Sequence, residues 1–191
     1  MFSNCSSLTE LDLSSFETNL ITNAGFLFKD CSKLTKINLS GWKTDSLSSI
    51  HAMFENCASL TSIDINHFNF NNVESLSNLF YNCESLTELD LTNFKTDKVK
   101  YFDNVFKNCK SLTSLDLKNF NTINAKSMTS MFASCTSLKN LDLSSFNTTK
   151  CSDFNKMFEE DEGLTIIINE ENNEKLINNL PAYINYTNIN K

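Results

Sequence analysis

The sequence predicts an α/β repeat fold: a right-handed solenoid of seven turns of 26 residues, with a parallel sheet on its concave face and short helices on its convex face. Two periodic rows of residues predict this architecture. Phenylalanine recurs at a step of 26 residues, at Phe2, Phe28, Phe54, Phe80, Phe106, Phe132 and Phe158. Cysteine follows it three residues later in all but the last repeat, at Cys5, Cys31, Cys57, Cys83, Cys109 and Cys135. Self-similarity at one period without insertions is typical of stacked supersecondary units.

The first half of each repeat predicts a short parallel strand. In the fourth repeat it reads Leu86, Leu89 and Leu91, an L-x-x-L-x-L pattern that the other repeats share with occasional isoleucine. An alternation of period two directs the apolar side chains of a strand to one face and the intervening residue to the other. Stacked in parallel, these strands should form one sheet along the solenoid. An aromatic residue such as Phe94 then turns the chain inward again.

The second half of each repeat predicts a short helix. Val99, Phe102, Val105 and Phe106 are spaced i, i+3, i+6 and i+7, which gives one apolar stripe on a helix of two to three turns. A threonine before this stripe predicts an N-terminal helix cap, at Thr18, Thr44, Thr96, Thr122 and Thr148. An asparagine before the cysteine predicts the left-handed residue that ends the helix, at Asn4, Asn56, Asn82 and Asn108.

The pattern changes at the C-terminal end, where Asp161 stands in the position of cysteine. After one more predicted strand, residues 170–180 are polar and compatible with a helix that Pro181 ends. We interpret this helix as a polar cap over the last repeat. The chain then divides into a repeat domain of residues 1–168 and a C-terminal cap and tail of residues 169–191, of which residues 182–191 are predicted to fray.

The N-terminal end carries no comparable cap, because Met1 already occupies the repeat position that Met53 and Met131 hold. We therefore expect an exposed apolar end, which leaves end-to-end contact between chains open and the oligomeric state undecided. We expect no signal peptide at Met1, because this residue already stands inside the repeat pattern. We also expect the chain to be a piece of a longer protein whose targeting segment lies upstream.

Composition disfavours several classes of partner. The formal net charge of −7 disfavours nucleic acid and anionic membrane surfaces. No apolar run approaches the roughly 18 residues that a membrane-spanning helix needs, so direct membrane insertion is not expected. Only 3 Gly and 1 Pro occur among the 191 residues, which argues against linkers and disorder.

The periodic cysteines are interpreted as buried free thiols that pack as small hydrophobic groups. Side chains stacked about 5 Å apart in parallel point the same way, which is poor geometry for a disulfide. A tetrahedral zinc site needs four converging ligands, which a straight row does not supply. Cys151 lies outside the row, at a position that Val73 and Val99 hold in other repeats, and is predicted to be core. No metal or other cofactor is expected.

The string M-F-x-x-C-x-x-L-x-x-L-D-L-S-x-F-x-T resembles the 26-residue repeat of bacterial surface proteins, the BspA-like leucine-rich-repeat family. The resemblance covers residues 1–168, with six clean copies and a degenerate seventh. It implies a leucine-rich-repeat-like solenoid in a secreted or cell-surface protein, with a role in adhesion to host or matrix proteins.

The exposed positions of the strands are the candidate ligand-binding site. By alternation, three rows of side chains share the concave face of the predicted sheet. The candidate residues are Glu10, Asp12, Lys36, Asn38, Asp64, Glu88, Asp90, Asp116, Lys118 and Asp142. Three interpretations of the aspartates remain open at this point: hydrogen bonds to nearby hydroxyls or backbone N–H groups, an acidic stripe for a basic partner, or a row of divalent-cation ligands.

These observations favour a non-catalytic cell-surface module that binds a protein or glycoprotein ligand, with basic ligands suited to the acidic row. A structural spacer within a larger surface protein is the alternative. An enzyme is not expected, because no nucleophile and base occur at a motif spacing. His51 and His67 are isolated in the sequence and are predicted to lie at the surface.

Overall fold

The computed structural model describes residues 1–189 and consists of short parallel strands in small sheets, joined by tight turns. The strands within this range are β1 (Glu10–Asp12), β2 (Lys36–Asn38), β3 (Ser62–Ile63), β4 (Glu88–Leu89), β5 (Asn140–Asp142), β6 (Thr165–Ile168) and β7 (Asn185–Asn188). One helix, α1 (Glu170–Ile177), lies between β6 and β7. It is too short to cross a membrane, and residues 1–189 contain no other helix.

The pairing of the strands follows the repeat of the sequence. Glu10 pairs with Lys36 in the sheet of β1 and β2, and Ser62 pairs with Glu88 in the sheet of β3 and β4. Both offsets equal the 26-residue period, so successive repeats lie side by side in register. The sheet is not continuous as predicted. It is divided into β1–β2, β3–β4 and β5–β6–β7, and no strand forms at residues 114–116 of the described chain.

The predicted helix in the second half of each repeat is wrong. The N–H groups of Phe102, Asn104 and Phe106 donate to carbonyls of the next repeat, at Ser127, Thr129 and Met131. Bonding to the neighbouring repeat removes these N–H groups from the i→i−4 bonds of an α-helix. The segment is instead a ribbon of tight turns, closed locally by bonds such as Cys109 N–H to the Phe106 carbonyl, 3.0 Å.

Two left-handed positions per repeat shape this turn ribbon. One is the residue before the cysteine, such as Asn82 (φ 60°) and Asn108 (φ 61°), where asparagine was predicted to adopt this conformation. The other lies four residues earlier and includes Phe26 (φ 59°) and Ala52 (φ 54°). A positive φ interrupts a right-handed helix, so two of them within five residues exclude a continuous helical turn.

The threonine row does not cap helices but bridges repeats. The Thr122 hydroxyl donates to the Asn147 carbonyl at 3.0 Å and accepts the Asn147 N–H at 2.8 Å. Thr18 makes the same pair of bonds to Lys43, and Thr96 makes it to Asn121. A single buried hydroxyl thereby satisfies both polar groups of one backbone residue in the next repeat.

The core is a stack of phenylalanine rings. Rings of the periodic row lie 5.5–6.1 Å apart from centroid to centroid along the array, with interplanar angles of 16° or less. Phe28, Phe54, Phe80, Phe106 and Phe132 are fully buried, which confirms that this row is committed to packing. A second row is buried in the interior, with Trp42 stacked on Phe68 at 6.0 Å. Phe16, in the first repeat, is 47% exposed where Trp42 is 5% exposed.

A βαβ unit lies at the C-terminal end of the described residues, and its first strand, β6, belongs to the last repeat. Asn169 begins α1 by accepting the Glu171 N–H at 3.0 Å, and Leu176 of the helix is buried against the core. The tail was predicted to fray, but β7 pairs in parallel with β6 over four residues because its backbone completes the edge of that sheet. Residues 190 and 191 of the predicted tail lie outside the described residues.

Candidate functional site: the strand face

The structure places the candidate residues on one exposed face, here called the strand face. Nine of the ten side chains are exposed and Asn38 is half-buried. Their inward neighbours are covered, as at Ile37 (8% exposed) and Ile63 (7%). The alternation that predicted this separation holds in β1 to β5, where the inward residue is buried or half-buried.

Each side chain of the middle row folds back on its own backbone. The Oδ1 atoms of Asp12, Asp90 and Asp116 accept the N–H two residues later at 2.9, 2.9 and 3.0 Å. Asn38, Asp64 and Asp142 make the equivalent bond. These Asx turns fix the corner at which the chain leaves the strand. Local hydrogen bonding, one of the three interpretations of this row, is thus present along its whole length.

The second carboxylate oxygen, Oδ2, has a different hydrogen-bond partner in different repeats. Oδ2 of Asp90 accepts the Asn66 amide at 2.7 Å, and Oδ2 of Asp116 accepts the Lys118 ammonium at 2.8 Å. The backbone N–H and hydroxyl of Thr92 lower the pKa of Asp90, and Lys118 lowers the pKa of Asp116 through its ammonium and N–H. Both carboxylates are therefore ionised at neutral pH, and the row presents negative charge to solvent.

The strand face carries two shallow grooves. The first groove has a volume of about 370 Å³ and is lined by Ser62, Asp64, Asn66, Glu88 and Asp90. Glu10, Asp12, Lys36 and Asn38 line another of about 250 Å³. Asp116, Lys118 and Asp142 line neither groove. Within residues 1–189 no group of three His, Cys, Asp or Glu side chains is placed to hold a metal ion.

Comparison with known proteins gives one family. A family described as "Mycoplasma protein of unknown function, DUF285" matches residues 1–113 and, in a second match, residues 85–190. The chain belongs to this family. The two matches of DUF285 overlap, as expected when one family of repeats is placed twice along a longer array. No curated protein and no solved structure matches the chain.

This DUF285 chain has a further groove that the sequence analysis missed. It measures about 390 Å³ and is lined in part by His67, Phe70 and Lys95. Phe70 occupies the position that threonine holds in other repeats. The centroid of its ring lies 4.1 Å from that of Phe94. Within residues 1–189 the backbone N–H and C=O of Lys95 consequently lack the bridge that Lys43 receives from Thr18. The break in the threonine row was the available sequence signal.

The periodic cysteines form a thiol row in the interior. All seven cysteines are free, and six are buried while Cys5 is half-buried. Each thiol from Cys31 to Cys135 donates to the phenylalanine carbonyl of the preceding repeat, as from Cys83 to Phe54 at 3.2 Å and from Cys135 to Phe106 at 3.0 Å. Burial raises the pKa of Cys83 to about 12. The thiols are therefore protonated donors at neutral pH.

We expect the folded DUF285 chain to resist alkylation at the thiol row, because neutral buried thiols are poor nucleophiles. Iodoacetamide at pH 7.5 should label Cys5 first and the other cysteines slowly, whereas all seven should react after denaturation. Peptide mass spectrometry measures both patterns. Recovery of intramolecular Cys–Cys crosslinks without a reductant would contradict the assignment.

Proposed function

We propose that the chain is a non-catalytic binding module that acts through the strand face. The observation that supports this proposal most is the difference between the inward and outward residues of the strands. Inward residues are nearly the same in every repeat and are buried, whereas outward residues differ between repeats and are exposed. Fixed packing combined with a variable exposed surface is what repeat proteins need to bind specific partners.

The first exposed row carries the largest variation. It reads Glu10, Lys36, Ser62, Glu88, Ser114 and Asn140 along the repeats. These side chains make no contribution to the buried core, so their identity is free to record the chemistry of a ligand. Changes of charge sign between neighbouring repeats favour a protein ligand with its own pattern of charges.

The ionised aspartates suit a basic ligand. Attraction between exposed charges steers encounter and weakens with added salt over a Debye length of about 8 Å at physiological ionic strength. With about 5 Å per repeat, seven repeats would extend roughly 30 Å, enough for a standard interface of about 800 Å² per partner.

The finer architecture belongs to the same proposal. We infer a right-handed, BspA-like leucine-rich-repeat solenoid of seven turns with the strand face on its concave side, but with turn ribbons in place of convex helices. The resemblance to BspA-like repeats supports placement in a secreted or cell-surface adhesion protein. The ligand class would then be a host or matrix protein or glycoprotein.

A structural spacer is the second candidate, and the bonds between repeats favour it. Asn82 donates to Asn56 at 2.7 Å in a ladder of amides, and ion pairs such as Lys100–Glu74 at 2.8 Å also join neighbouring repeats. Such links stiffen an array along its length. Binding of a partner by this chain alone would distinguish a binding module from a spacer.

The test is a variant that neutralises three aspartates of the strand face, Asp64→Asn, Asp90→Asn and Asp116→Asn. Asparagine keeps the Oδ1 acceptor of each Asx turn, so the fold should survive. Binding to immobilised matrix proteins, measured by surface plasmon resonance, should weaken by about tenfold and depend less on salt, since exposed ion pairs contribute about 0.2–1 kcal/mol each.

A matched control removes equal charge elsewhere, through Glu17→Gln, Glu162→Gln and Glu174→Gln. All three side chains are exposed and lie off the strand face. Both variants change the formal net charge from −7 to −4. If the two variants lose the same affinity, only net charge matters. If neither loses any, the strand face is not the ligand site.

A further inference from the structure

One buried carboxyl interrupts the thiol row. Asp161 occupies the cysteine position of the last repeat and is 2% exposed. Neither of its carboxyl oxygens has a hydrogen-bond partner in the described structure. A buried carboxylate without a partner is costly, because desolvation penalises the charged form.

The position of Asp161 calls for a donor. Five consecutive thiols donate to phenylalanine carbonyls 29 residues earlier, from Cys31–Phe2 to Cys135–Phe106. The next carbonyl in this series belongs to Phe132. A carboxylate has no proton to donate and would place negative charge beside the carbonyl lone pairs, whereas a carboxylic acid has one O–H that replaces the thiol.

The segment after α1 supplies the donor for the next phenylalanine carbonyl in this series, that of Phe158. The Tyr183 hydroxyl donates to the Phe158 carbonyl at 3.1 Å, where a thiol of another repeat would donate. The Leu164 N–H, just before β6, donates to the Asp161 carbonyl at 3.2 Å. Asp161 therefore lies in the last repeat, immediately before the β6–α1–β7 unit.

Charges around Asp161 do not offset its ionisation. Asp161 interacts electrostatically with Cys135, Glu160 and Tyr183, and none of these side chains is a cation. The nearby Lys156 ammonium is paired with Glu159 at 2.8 Å. Burial raises the pKa of Asp161 to about 7; the backbone of Cys135 acts in the opposite direction, and the charge of Glu160 adds to the effect of burial.

We propose that Asp161 is a proton switch at the attachment of the β6–α1–β7 unit. As the neutral acid its O–H donates to the Phe132 carbonyl and continues the thiol row. On ionisation it loses this bond, and the unit of residues 164–189 opens more readily from the preceding repeats.

The direction of the pH effect follows from linkage. The closed junction holds its proton up to about pH 7, whereas the opened junction releases it near the ordinary aspartate pKa of 3.8. Closed chains therefore bind more protons between these two values, so the free energy of opening falls as pH rises through this window and levels off above it.

The experiment is amide hydrogen exchange, corrected for intrinsic rates and followed at pH 5, 6, 7 and 8. Protection of β6, α1 and β7 should fall by about tenfold or more across this range, while protection of β3 and β4 should change far less. In Asp161→Cys, which restores a neutral thiol, protection of the same unit should vary less than twofold. Tyr183→Phe should weaken the unit at every pH yet keep the pH dependence.

An equal pH dependence in wild type and Asp161→Cys would overturn the proposal. If Asp161→Cys does not fold, a carbon-13 NMR titration of the wild-type aspartate carboxyls decides. One carboxyl titrating two or more units above the rest, and absent from Asp161→Asn, supports the switch. Titration of every aspartate near or below pH 4 overturns it.

Discussion

Truncating the central ring of the phenylalanine stack, Phe80→Ala, is expected to lower the free energy of unfolding by about 3–5 kcal/mol. Phe80 is fully buried, and its ring centroid lies 5.8 Å from that of Phe54 and 6.1 Å from that of Phe106. The change leaves a cavity in a close-packed interior and removes both aromatic contacts, each of which contributes about 0.5–1.5 kcal/mol beyond burial. Urea unfolding followed by circular dichroism measures the loss as a shift in midpoint.

Phe2→Ala is the matched control, because Phe2 is half-buried and stacks on one ring only, that of Phe28 at 5.6 Å. It should cost less than half as much. In an array that unfolds in sections, Phe80→Ala should also split the transition, since each repeat is held by its neighbours. Equal losses from the two variants would show that the stack does not set stability.

The repeat of the structure was predictable from the sequence because the spacing of the apolar residues determines it. Leu89 and Ile63 lie on strands at the predicted positions, and Phe54 and Cys57 are buried as their periodic rows require. Periodicity reports which side chains face inward, and that information is independent of how the backbone hydrogen bonds are arranged.

The helix prediction was wrong because apolar periodicity does not specify how the backbone is hydrogen-bonded. A spacing such as Val99, Phe102, Val105 and Phe106 fits a helix, but a ribbon of turns of similar pitch buries the same side chains. The choice depends on backbone bonds to the neighbouring repeat, such as Phe80 N–H to the Val105 carbonyl at 3.0 Å, and these do not appear in a local window of sequence. Ala52 and Phe26 adopt positive φ although neither residue type favours it.

The exposure of the strand-face residues follows from the alternation of the sequence, whereas the contacts they make depend on neighbouring repeats. Asx turns at Asp90 and Asp116 follow from residue type, because aspartate readily bonds the N–H two residues later. The groove at Phe70 depends on a threonine missing from its row, and the sequence alone does not reveal that this row bridges neighbouring repeats. The sequence shows that Asp161 replaces a cysteine of the periodic row. Only the structure shows that its carboxyl oxygens are buried without hydrogen-bond partners, which is why we assign it a role.

The threonine row provides the second large expected effect. Thr122→Val should lower the free energy of unfolding by about 2–6 kcal/mol, because it leaves two polar groups without a partner at about 1–3 kcal/mol each. Valine keeps the shape of the buried side chain, which is 1% exposed, but removes the hydroxyl that bonds both the N–H and the carbonyl of Asn147. Phe70 shows that the chain tolerates the loss of this bridge where a large ring packs in its place, and valine offers no such compensation.

Thr61→Val is the control, because Thr61 is exposed and its hydroxyl makes no hydrogen bond within residues 1–189. A change at such a surface position should stay within about 0.5 kcal/mol of wild type. Urea unfolding of both variants separates the hydroxyl from the general effect of replacing threonine by valine. If Thr122→Val is as stable as Thr61→Val, water satisfies the backbone of Asn147, and the threonine row contributes register between repeats rather than stability. A fall confined to Thr122→Val, together with faster amide exchange at Asn147, would instead establish the bridge as a stabilising bond between neighbouring repeats.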